Sequence, residues 1–106
     1  MITVNYDRKH HRLRVLGHAG SAPAGKDLVC AAVSALVYTA AWNVAELVSQ
    51  GNANHQQIRL GEGDALVACV PKKGMGAVTT LVLDTVCGGF ALLQNFYPQQ
   101  VKYVVW

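Results

Sequence analysis

Along the first seven residues apolar and polar side chains alternate. Ile2, Val4 and Tyr6 fall on one side and Thr3, Asn5 and Asp7 on the other, the two-residue period of a half-buried strand. After the polar connection Arg8 to His11, Leu13 and Val15 resume the alternation against Arg12 and Arg14, so a hairpin is predicted that ends at Gly17 and His18. From Leu28 to Gln50 the period changes. The run is long and apolar enough to raise the question of a membrane span, which needs about 20 apolar residues. Thr39, Asn43, Glu46 and Gln50, however, recur at helical spacing and form one polar face, so an amphipathic helix is expected and no membrane. Gly51-Asn52 supplies its left-handed stop, and Tyr38 and Trp42 are expected in core or edge packing. Gln56 to Leu60 and Ala65 to Val70 read as strands around the turn Gly61-Glu62-Gly63-Asp64. Met75 to Tyr97 is contested. The β-branched run Val78 to Val82 and Gly88-Gly89 argue against a helix, while its length and the apolar spacing Leu81, Thr85, Leu92, Phe96 argue for one. Pro98 ends it, and Val101 to Trp106 alternate as a last strand. The predicted order is strand, strand, helix, strand, strand, helix, strand. This is an α+β, two-layer architecture with the helices on one face of a mostly antiparallel sheet.

Composition narrows the class. At 106 residues with a net charge of +3, the chain is expected to be a single domain over residues 1–106, small enough to profit from self-association. Three cysteines, an odd number without a C-x-x-C pair, argue against a disulfide framework and against a zinc cage, and imply a reducing, cytoplasmic setting. MITVNYD lacks the basic and apolar regions of a secretory signal. His10 and His11 lack companion ligands, so no metal is expected. Four of the nine basic residues, Arg8, Lys9, Arg12 and Arg14, fall in the first hairpin. Without interleaved aromatics they read as solvated surface, and nucleic acid is not expected to be the main partner.

The candidate chemistry lies in Gly17 to Ser34, GHAGSAPAGKDLVCAAVS, which sets a histidine, a glycine-containing loop, an acid and a cysteine in sequence. Asp27 at the N-cap of the long helix would place Cys30 in the first turn, where the helix dipole and unpaired amides favour a thiolate. Nucleophilic catalysis needs that thiolate, an imidazole such as His18 to exchange protons, and donors for an oxyanion. By spacing alone, a buried structural cysteine explains Cys30 as well. Ser34, one turn on, either bonds back to a helical carbonyl or orients His18 or a substrate group. Asp27 carries a tension: beside Cys30 it opposes thiolate formation, whereas bonded to His18 it favours the imidazolium. Cys69 and Cys87 sit in apolar runs and read as structural.

The strings GHAG and GKDLVCAAVSAL resemble the ribosomal-processing cysteine protease (Prp) family of bacteria. Gly17, His18 and Ala19 match its first motif; Gly25, Asp27 and the run Leu28 to Ser34 match its second. MITV and YPQQVKY resemble the family's two ends, so the similarity spans the chain. Ser21 and Pro23 depart from the larger or polar residues expected in the loop, which bears on substrate preference. The resemblance implies a cysteine endopeptidase with His18 and Cys30 catalytic, supported by Gly17, Asp27 and Ser34. The loop Gly20, Ser21, Pro23, Gly25 would close over substrate. It also implies, as substrate, the N-terminal extension of a large-subunit ribosomal protein precursor, a homodimer, and no metal or cofactor. The rival readings are a non-catalytic ribosome- or RNA-associated binding module that uses the basic hairpin with Cys30 buried, and a redox thiol. No resolving cysteine beside Cys30 supports the redox reading.

Overall fold

The two periodicities produce the elements in the predicted order. In the computed structural model, which describes residues 1–17 and 28–106, β1 (Ile2–Asp7) and β2 (Arg12–Gly17) precede α1 (Leu28–Ser49). β3 (Ala53–Gly61), β4 (Asp64–Pro71), α2 (Gly76–Phe96) and β5 (Val101–Val105) complete the chain. The strands form one five-stranded sheet in the order β3-β4-β2-β1-β5, antiparallel throughout except where β5 runs parallel to β1.

The alternation places Ile2, Val4 and Tyr6 of β1, Leu13 and Val15 of β2, and Ala65, Val67 and Cys69 of β4 in the core, where both helices pack. α1 contributes Val33, Val37, Ala40, Val44 and Leu47, and its small residues admit close approach. Its end follows the expectation for Gly51. That residue takes φ +77°, its N–H donates to Val48 O at 3.0 Å, and Asn52 N–H donates to Leu47 O at 2.8 Å, the paired bonds of a Schellman motif. Either helix could cross a membrane by length and composition alone, but in this fold their apolar stripes lie on the sheet.

Two expectations are corrected. In α2 the buried residues are Thr79, Leu83, Val86, Cys87 and Phe90, and the spacing Leu81, Thr85, Leu92, Phe96 instead marks the outward side. Packing against both sheet and α1 selects a different stripe of a helix that is apolar nearly all round. Gly89 faces α1: a Cβ there would come within 2.6 Å of the Leu36 side chain, whose end would have to shift. Tyr38 and Trp42 are not core residues either, being 59% and 69% exposed.

The first hairpin is tied to α2. Arg8 donates from Nε and Nη2 to the Asp84 carboxylate at 3.0 to 3.1 Å, and the buried Tyr6 hydroxyl donates to Asp84 Oδ1 at 2.8 Å. His11 Nε2 meets Thr80 Oγ1 and His10 Nδ1 meets Asp7 Oδ2, each at 2.8 Å, so both histidines of the suspected pair have structural partners. Hydrogen bonding from Arg8 holds the Asp84 carboxyl below its usual range, and burial raises the Tyr6 phenol. Asp84→Ala leaves the Tyr6 hydroxyl unpaired and should cost about 1–2 kcal/mol in urea unfolding at pH 7. A carboxyl lowered in the fold contributes stability above its unfolded value, about 3.9, and loses it as pH falls through the folded value. The gap between wild type and variant should therefore narrow in the same titration at pH 3.

Candidate active site

β2 ends on Gly17 with φ +91°, a conformation that L side chains rarely adopt, and a Cβ there would collide with the Met1 carbonyl oxygen. Its N–H donates to Gly63 O at 2.9 Å, so the end of β2 is bonded to the turn between β3 and β4. The covalent chain passes from Gly17 into His18.

Cys30 is the third residue of α1 and is partly exposed. The first amides of a helix have no intrahelical carbonyl partner and carry the positive end of the dipole, so this turn favours an anion. Cys30, Ser34 and Tyr38 recur every fourth residue and line one wall of a cavity of about 390 Å³. Ile2, Val15, Val33 and Val37 add apolar lining, Gly17 stands at the same cavity, and Leu60 to Ala65 of the β3–β4 hairpin complete it. Asp64 at its edge accepts from Arg59 Nη2 at 3.0 Å and lies 3.9 Å from Arg14 Nε, so its charge is offset from outside. Chemically, the arrangement offers a thiol at a helix start beside a hollow of mixed polar and apolar lining, large enough for a peptide side chain.

The other two thiols differ. Burial pushes Cys87 up to about 11 and raises Cys69, so both stay protonated core groups, as expected for structural cysteines. Among the described residues no group of three or more His, Cys, Asp or Glu is arranged to hold a metal ion.

Of the residues singled out in the sequence, the structure brings Gly17, Cys30 and Ser34 to one cavity. His18, Gly20, Ser21, Pro23, Gly25 and Asp27 lie outside the described residues. The sequence reading missed Tyr38 and the hairpin residues Leu60, Glu62 and Gly63. Tyr38 was accessible, since it stands four residues beyond Ser34 on the Cys30 face. The hairpin was not, because its place beside α1 comes from the order of strands in the sheet.

The family model for cysteine protease Prp matches residues 1–102. Among solved structures, the essential ribosomal processing protease Prp from Staphylococcus aureus is similar in two complexes. The one with a covalently linked product peptide gives a TM-score of 0.77 at 19% identity, and the one with a substrate peptide 0.72 at 18%, each covering 100% of both chains. SMU.848 from Streptococcus mutans is similar at 23% identity and a TM-score of 0.69, covering 99% of this chain and 93% of that one. At these identities the likeness shows the fold. A comparison with curated proteins found no match.

Proposed function

The chain belongs to the Prp family of cysteine proteases, and from that premise we propose that it removes the N-terminal extension of a bacterial large-subunit ribosomal protein, using Cys30 as nucleophile and His18 as general base and acid. The carrying observation is the partly exposed Cys30 in the first turn of α1, at a cavity that Gly17, the residue before His18, also lines. The S. aureus relatives, solved with substrate and product peptides, support the substrate class.

In the proposed reaction the His18 imidazole takes the Cys30 Sγ proton, and the thiolate attacks the scissile carbonyl carbon. Amides of the first turn of α1 stabilise the oxyanion. The intermediate collapses to a thioester as the imidazolium protonates the departing amine. Water, deprotonated by His18, then releases the acid and restores the thiol. Ser34 and Asp27 take positioning roles, and a reducing cytoplasm keeps the thiol available. The binding-module alternative required a buried Cys30, and its partial exposure counts against that. Iodoacetamide alkylation followed by peptide mapping tests the activated thiol. Cys30 should react at pH 6 well ahead of Cys69 and Cys87 and faster than free cysteine. A rate no faster than that of free cysteine would contradict the reading.

We also propose that the protease is a homodimer. Trp42 of α1 and Leu81, Leu92 and Phe96 of α2 are 58 to 69% exposed on the outward sides of the helices, an amount of exposed apolar surface that favours association. Sedimentation should show a dimer, and Trp42→Glu with Phe96→Glu should give a folded monomer. A wild-type monomer would contradict the proposal.

A further inference from the structure

The sheet has a second face, and the register identifies what it carries. Opposite the helices, the pairing aligns Arg59 with Leu66, Leu66 with Arg14, Arg14 with Asn5, and Asn5 with Val104. A neighbouring row runs through Ala68 and Arg12, and another through Leu16, Thr3 and Lys102. No described helix lies over this face. Leu66 and Ala68 are nonetheless buried, at 2% and 1% exposure, between cross-strand neighbours with long side chains, Arg14 and Arg59 beside Leu66 and Arg12 and Gln57 beside Ala68. Arg12, Arg14 and Arg59 are themselves exposed.

The tertiary structure thus redistributes the charge that lies close together along the sequence of the first hairpin. Arg8 is turned to Asp84 on the helical side, whereas Arg12 and Arg14 are joined on the open face by Arg59 and Lys102 from strands distant in sequence. The carboxylates on this face, Asp7 and Asp64, are engaged by His10 and by Arg59 and Arg14 respectively. Arg12 and Arg14 are about 7 Å apart along β2, and adjacent strands are about 4.8 Å apart, so the cations form a grid rather than a point. Trp106 adds an aromatic. Its N–H donates to Tyr6 O at 2.8 Å, extending β5, and its ring is 76% exposed at the position that continues Lys102 and Val104.

We propose that this open face binds RNA, with phosphates on Arg12, Arg14, Arg59 and Lys102 and a base stacked on Trp106. The choice of RNA among polyanions rests on the ribosomal substrate proposed above. The face is separate from the cavity at Cys30, apart from Asp64 and its two arginines, so the enzyme would hold RNA and peptide together.

The test uses full-length protein carrying Cys30→Ala, so that binding is read independently of cleavage. Fluorescence anisotropy with a labelled poly(U) of about a dozen nucleotides should give a slope of log affinity against log salt of about −3, from four contacts at ~0.7 each. Arg12→Gln with Lys102→Gln, which leaves Arg14, Arg59 and Asp64 in place, should reduce that slope to about −1.5. Trp106→Ala should weaken binding about tenfold with the slope kept. Lys72→Gln with Lys73→Gln, on the connection before α2, should change neither. Circular dichroism melts establish that each variant is folded. A slope shallower than about −1, or a slope equal in wild type and the Arg12/Lys102 variant, would overturn the proposal. So would binding of poly-glutamate without binding of poly(U), which would assign the face to an acidic protein. Failure of proteolysis with RNA binding intact would count against the substrate reading and leave the face standing.

Discussion

Cys30→Ala should bring kcat/KM for a peptide spanning the proposed cleavage site down to the uncatalysed background, a loss on the order of 10⁵-fold. His18→Ala should lose about 10²- to 10⁴-fold, the range of general acid–base catalysis. The asymmetry has a physical source. Without Sγ no thioester forms, whereas without the imidazole the Cys30 thiol is still present and the first-turn amides of α1 remain as oxyanion donors. Alanine at Cys30 removes a partly exposed side chain from a cavity wall, so the fold should survive, and the melting temperature serves as the control. Activity persisting in Cys30→Ala would contradict the assignment, because the remaining thiols, Cys69 and Cys87, are buried in the core.

Gly17→Ala should lower kcat about 10²-fold with KM little changed. At φ +91° an alanine pays roughly 1–2 kcal/mol in backbone strain, and its Cβ would run into the Met1 carbonyl oxygen. Relief requires the end of β2 to move, which disturbs the bond from Gly17 N–H to Gly63 O and the residue that follows, His18. A displacement of about 1 Å in a catalytic group is enough for a hundredfold loss. Peptide bound through the rest of the cavity would be less affected, hence the split between kcat and KM. A folded Gly17→Ala variant with wild-type kcat would show that the backbone at Gly17 does not position the histidine.

Local periodicity made most of the fold legible. Strict alternation in Ile2 to Asp7 and Arg12 to Val15, the Gly51 stop and the Gly61 to Asp64 turn each specify their element without tertiary help. The inward face of α2 was not legible, because a helix apolar on several sides is oriented by its neighbours, and only the packed structure shows Phe90 inside and Phe96 outside. Tyr38 and Trp42 misled for the same reason: aromatic size suggests burial, and their places on α1, Tyr38 at the cavity wall and Trp42 facing outward, override it. In the site, Cys30 and Ser34 were legible from helical spacing and Gly17 from the motif. The turn at Glu62 and Gly63 reaches the cavity through strand order, and the basic open face likewise depends on β2, β3 and β5 meeting in one sheet. Long-range pairing leaves little trace in any local window.

Mass spectrometry of the large-subunit ribosomal protein precursor after incubation with the purified chain tests the central claim most directly, with Cys30→Ala and His18→Ala alongside. The account predicts cleavage at one bond near the precursor's N-terminus by wild type, an intact precursor with Cys30→Ala, and cleavage slowed about a hundredfold or more with His18→Ala. An intact precursor with the wild-type enzyme, or cleavage that survives Cys30→Ala, would contradict it.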